Sequence, residues 1–205
     1  MKPPVCLAAL VVLAGLGPAA VYSTDATIEF ENPSVRVVRV HYTPHEKTAV
    51  HDHPPTPTVY VYVTDGGRLS IGHDGEESVI RPPVKAGGIR FQKGVAERHA
   101  VEEIDGVESE YIRIELKIKP VDLPEVDVRR PPGDRTPYES RMIRILRVTC
   151  PAQSACPASQ HPENPAVVVT GKKFAWVPAG SAPLRNSTDA AVEQVRVELK
   201  TPPQQ

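Results

Sequence analysis

A chain of 205 residues with a formal net charge of -1 carries no basic patch interleaved with aromatics, so a nucleic-acid surface is excluded and no nucleic-acid partner is expected. Its 23 prolines and 13 glycines suit many short strands joined by tight turns better than a helical bundle. Hydrophobic residues make up 40%, enough for the core of one domain or two small ones.

The first twenty residues read as an export signal. Lys2 gives a positive start, Val5 to Leu16 is a short apolar run, and Gly17-Pro18-Ala19-Ala20 offers small residues for cleavage. About a dozen apolar residues are too few to span a bilayer, which takes roughly twenty, so no stable membrane anchor is expected. Cys6 precedes the apolar run, which argues against a lipoprotein. The expected location is secreted or periplasmic. Cleavage would leave Cys150 and Cys156, six apart, and an oxidising compartment favours a structural disulfide between them. A reduced pair or a soft metal site is the alternative, though no further cysteine is there to complete one.

After the signal, Ala26 to Phe30 suits an edge strand. Val35-Arg36-Val37-Val38-Arg39-Val40 alternates, slips by one at the doubled valine and alternates again, which predicts a β-bulge. His41 then faces solvent. His45, after Pro44, belongs to a loop from which it could approach a nearby site. In Val50-His51-Asp52-His53-Pro54 an extended strand puts His51 and His53 on one face, where two imidazoles can chelate a first-row divalent metal. The apolar run from Thr58 to Thr64 puts Tyr60 and Tyr62 on one face, suited to lining a barrel mouth or to filling a core. His73, in Gly72-His73-Asp74-Gly75, reads as a turn residue. The best third ligand is His99, followed by Ala100-Val101-Glu102-Glu103 and with Glu97 close by to orient an imidazole.

The chain also repeats itself. Ile143-Arg144-Ile145-Leu146-Arg147-Val148 has the pattern and the slip of Val35 to Val40 at an offset of 108 residues (143 − 35), and the same offset carries His53-Pro54 onto His161-Pro162. Glu110 to Lys117 matches Glu193 to Lys200 at an offset of 83 (200 − 117), so the second copy is shorter by 25 in its middle, within the stretch from Asp65 to Gly94. These offsets place His51 on Ser159, His99 on Ala182 and Glu103 on Asn186: the second copy keeps the strands and loses two of the three imidazoles. Trp176 falls in the second copy's core. Pro120 to Pro137 shows no periodicity and reads as a linker. The expected organisation is a signal over 1–20, a metal-bearing unit over 26–119, a linker over 120–137 and a degenerate copy over 138–200.

With these motifs the chain resembles the cupin superfamily, and as a duplication it resembles a bicupin. His51-Asp52-His53 with Gly66 fits the family's first motif; Gly94 followed by His99 to Glu103 approximates the second; Val177-Pro178-Ala179-Gly180 matches the Pro-x-Gly piece without a histidine. The resemblance implies an all-β fold of two cupin-like β-barrel (jelly-roll) repeats, the second shorter and degenerate. It implies a metal on His51, His53 and His99, with His45, Glu97, Tyr60 and Tyr62 as candidates to stand behind them. The acid of the first motif should fall near Pro57 or Thr58, and neither carries a carboxylate. That argues against the manganese-dependent oxalate-degrading members. Three neutral ligands suit iron, zinc, copper or nickel, and members with a comparable histidine set include thiol dioxygenases. Two functions follow as expectations: a metalloenzyme acting on a small-molecule substrate, dioxygenase-like or related, or a non-catalytic small-ligand, sugar-binding or structural module. A homodimer is compatible with either.

Overall fold

The computed structural model describes residues 26–73 and 75–204, so the expected export signal lies outside the described residues. The strands are β1 (Ala26–Glu31), β2 (Val35–Tyr42), β3 (His51–His53), β4 (Thr58–Tyr62), β5 (Leu69–His73), β6 (Val79–Arg81), β7 (Ile89–Gln92), β8 (Glu97–Glu103), β9 (Ser109–Leu116), β10 (Val128–Arg130), β11 (Tyr138–Glu139), β12 (Ile143–Cys150), β13 (Ala166–Thr170), β14 (Lys173–Val177) and β15 (Val192–Leu199). They form three antiparallel sheets: β1-β2-β9-β4-β7-β10, β3-β8-β5-β6 and β11-β12-β15-β13-β14. Among the described residues there is no helix.

The six-stranded sheet is the middle layer, and both its faces are buried. Val35, Val59, Val61, Phe91, Ile112, Ile114 and Leu116 point to one side and pack against Met142, Ile143, Val167, Val197 and Leu199 of the second half. Val38, Val40 and Tyr42 point to the other side and meet Ile71 and Val101 of the four-stranded sheet. Each such side chain, fully buried, contributes about 1.5–3 kcal/mol. This accounts for the doubled valine. β2 pairs with β9 in unbroken register from Val35↔Leu116 to Tyr42↔Ser109, so the bulge expected at Val37-Val38 is not there. Val37 belongs to one core and Val38 to the other, and the apparent slip marks the exchange of cores along a regular strand. The irregularity lies in β1, between Ile28 and Phe30, opposite those valines.

The second half's sheet follows the same order as the first, with β11, β12, β15, β13 and β14 standing where β1, β2, β9, β4 and β7 stand. β13 and β14 are joined by Gly171 and Lys172, where the first half carries β5 and β6 between β4 and β7. The expected second barrel is therefore a single open sheet among the described residues, because the segment that would build its other wall is missing. Loops cover that face: Ser159 donates to the buried Glu198 carboxylate at 2.6 Å, and a Cys150–Cys156 disulfide closes one of them. Trp176 stacks on Phe30 at 6.0 Å between ring centres, so it joins the core shared by the two halves. The proline-rich stretch read as a linker supplies β10, which pairs with β7, and Asp127 beside it accepts from Arg90 at 2.7 Å.

Candidate metal centre

The four-stranded sheet brings the histidines together by register. β3 pairs with β8 so that His51 is opposite His99 and His53 opposite Glu97. Directly opposed residues of an antiparallel pair share a face, so all four point into the space facing the six-stranded sheet. The loop before β8 is held by Gly94, whose φ is +81°; a side-chain carbon there would sit 2.3 Å from the Thr56 carbonyl carbon. Only glycine allows that approach and that backbone together.

The rings of His51, His53 and His99 have centres 4.8–4.9 Å apart, and one ligand atom from each lies within 4.8 Å of the others. His51 and His99 are 8% and 6% exposed. His51 Nδ1 donates to the Ala49 carbonyl at 2.9 Å, which leaves the lone pair on Nε2. Glu97 Oε2 lies 3.2 Å from His99 Nδ1, turning the other nitrogen of that ring toward the pair on β3. Burial pushes His51's imidazolium below its ordinary range. Burial, then the neighbouring Arg113 charge, lowers His53 to about 3. The His99 ring beside it holds the Glu97 carboxyl below the usual carboxylate range. Neutral imidazoles are the form that ligates. One ring with its outer nitrogen hydrogen-bonded, a second with a carboxylate 3.2 Å from its outer nitrogen, and a third in reach fit a divalent transition metal.

The opposite wall of the cavity comes from alternate residues of β9 and β4: Tyr111, Arg113 and Glu115, with Tyr60 and Tyr62. The enclosed space is about 1230 Å³, solvent at its mouth included. Arg113 Nη1 donates to His53 Nδ1 at 3.3 Å and its Nε lies 3.2 Å from Glu115. Tyr60 accepts from Gln92 at 2.7 Å and lies under the Arg90 guanidinium, 5.1 Å from its ring centre. Burial raises the pKa of both Tyr60 and Tyr62, so these phenols keep their protons. Arg81 also lines the cavity.

Other histidines separate into two groups. His45 is exposed, in a left-handed turn (φ 59°), its N–H bonded to Glu103 and its ring against Gly106; it does not line the cavity. His41 contacts Glu108, and His161 contacts Glu163 on the surface. His73 is the residue that the sequence reading missed. It ends β5 directly opposite His99, with ring centres 5.6 Å apart. The Gly-His-Asp-Gly run looked like a turn, but the alternation Leu69, Ile71, His73 carries the strand one residue further.

No family model matches the chain, and no curated protein does. Solved structures do. A cupin domain from Bordetella pertussis is 24% identical over 49% of this chain and 99% of that one, with a TM-score of 0.40. The protein YhaK from Escherichia coli is 11% identical over 87% of this chain and 92% of that one, with a TM-score of 0.50. A quercetin 2,3-dioxygenase from Acinetobacter baumannii is 10% identical over 82% and 75%, with a TM-score of 0.48.

Proposed function

From a chain with the cupin fold, we propose an exported protein that holds one divalent transition metal through His51, His53 and His99 and presents it to a small anionic molecule in the barrel of the first half. The observation that carries this reading is the convergence of three buried or half-buried imidazoles at the wall of the cavity. When bound, the ion supplies a Lewis-acidic centre with open coordination positions, and an all-imidazole donor set suits iron, zinc, copper or nickel. The chain's own groups do the rest. Arg113 and Arg81 offer positive charge to an anionic group. Tyr60, accepting from Gln92, has its own hydroxyl proton to donate. Glu97 holds His99 in place. Val40, Tyr42, Ile71 and Val101 exclude water from the floor. The small-molecule reaction this arrangement supports is of the metal-dependent kind, dioxygenase-like or related.

The test is elemental analysis of the mature protein, purified without chelator or affinity metal, alongside the His51→Ala/His99→Ala double variant. The expected result is iron, zinc, copper or nickel bound by the protein and absent from the variant. Protein that holds no metal, and takes up none on reconstitution, overturns the metal reading and leaves the cavity as a ligand-binding site alone.

A further inference from the structure

Behind His99, on the side away from His51, stands a second convergence of donors. One ligand atom each from His73, Glu97 and His99 lie within 4.8 Å of one another. Register explains the arrangement: His51 and His73 flank His99 on its two neighbouring strands, and their rings stand nearly perpendicular to its own, at 87° and 79°. We propose that His73, Glu97 and His99 form a second seat for a divalent metal ion, back to back with the first and sharing the imidazole of His99.

Three features point to a ligand rather than to packing. Nδ1 of His73 and Nδ1 of His99 are both cut off from solvent and have no hydrogen-bond partner among the described residues. An orphaned buried nitrogen costs about 1–3 kcal/mol, and His73 Nδ1 is one, on a ring centred 5.6 Å from that of His99. The Glu97 carboxylate comes to 3.2 Å from His99 Nδ1 without the alignment of a hydrogen bond. Two groups that close and that poorly aligned suit a common third atom better than each other. The donor set is also chemically complete: two imidazoles and a carboxylate, with a position left for water, is a composition that binds zinc. The same set lacks a counterpart in the second half, where the strand equivalent to β5 does not exist.

The two seats use different nitrogens of one ring. The first takes His99 through Nε2. The second needs Nδ1, so filling both breaks the Nδ1–H bond; the proton leaves to solvent and the freed lone pair binds the second ion. The second seat rests on the proposed function only in sharing His99, and can fill alone.

Zinc titration of the metal-stripped protein, with bound zinc measured after equilibrium dialysis, tests it. Wild type is expected to bind two equivalents, His73→Ala one, His51→Ala/His53→Ala one, and the triple variant none. Glu97→Gln should resemble His73→Ala, and the thermal melt of each variant reports that it has folded. A wild type that binds one equivalent, unchanged in His73→Ala and lost in a folded His51→Ala/His53→Ala protein, overturns the second seat and leaves the first intact. Loss of all zinc in a folded His73→Ala protein, with none lost in His51→Ala/His53→Ala, supports the second seat and refutes the first.

Discussion

Arg113 should weaken the metal site that it borders, and its removal should tighten it. A guanidinium donates at every accessible pH, so the 3.3 Å contact makes His53 Nδ1 an acceptor and puts the ring's proton on Nε2. If the ion is bound through Nδ1, it must displace the guanidinium. If it is bound through Nε2, the ring must move its proton to Nδ1, where it faces an N–H that cannot accept it. Either way one charge-assisted hydrogen bond is lost on metal binding, about 1.5–3 kcal/mol, and a cation is left beside the ion. Glu115, 3.2 Å from Arg113, offsets part of that charge. Arg113→Gln keeps a polar side chain against Glu115, which retains Arg36 at 3.4 Å. The expected result is a metal affinity raised about ten- to hundred-fold, at roughly 1.4 kcal/mol per factor of ten. The assay is competition between metal-stripped protein and a chromophoric zinc chelator at fixed ionic strength. Binding of an anionic probe to the loaded protein should weaken in the same variant. Unchanged or weaker metal binding in a folded Arg113→Gln protein would refute the reasoning.

Other outcomes follow from the same geometry. His51→Ala should empty the first seat, while His161→Ala should leave metal content unchanged, since His161 lies on the surface against Glu163; elemental analysis separates them. For the metal-free protein, His53 falls from 6.5 in the unfolded chain to about 3 when folded, so the unfolded state binds the extra proton between those values. Its contribution is fully present above pH 6.5 and is lost as pH falls toward 3; it is on the order of 5 kcal/mol, and chemical denaturation in chelator at pH 7, 5 and 4 would show the decline. Phe91→Ala, emptying a fully buried position between the two halves, should cost about 3–5 kcal/mol, read from the denaturation midpoint. Gly94→Ala should disturb metal binding as well as stability, because the added carbon meets the Thr56 carbonyl and must displace the loop that leads to His99; zinc affinity and melting temperature measured together would check it.

Sequence alone carried the strands and the triad further than their surroundings. Period-two alternation and the H-x-H spacing depend on neighbours in the chain, so the all-β class and the shared face of His51 and His53 were legible. His99 was legible as a candidate that the repeat and the resemblance supported, but its register against β3 was not, since that is a long-range pairing. The doubled valine was misread because alternation assumes one buried face, and the six-stranded sheet has two. His73 was missed because glycines on either side of a His-Asp pair signal a turn as strongly as they signal a strand's last residue. The second barrel was expected because the missing 25 residues were counted as a shortening; in space they include β5 and β6, and without these the second half has one wall.

The repeat also separates what the fold requires from what the site requires. At the offset of 83, the inward residues Tyr111, Arg113 and Glu115 of β9 become Gln194, Arg196 and Glu198 of β15, all buried. A buried Arg and Glu two apart are thus present in both halves, and in the second they are served by loops: Arg196 donates to the Pro157 carbonyl at 3.0 Å, and Glu198 accepts from Ser159. Ser159 is the position that His51 occupies in the first half. The Arg–Glu pair therefore does not depend on imidazoles beside it, and belongs to the framework of the sheet. The histidines of β3, β5 and β8 belong to the wall that only the first half builds. Arg113 meets His53 where a framework pair and a metal wall share one cavity, which makes it a group that opposes the ion while supplying the positive charge that an anionic ligand would seek.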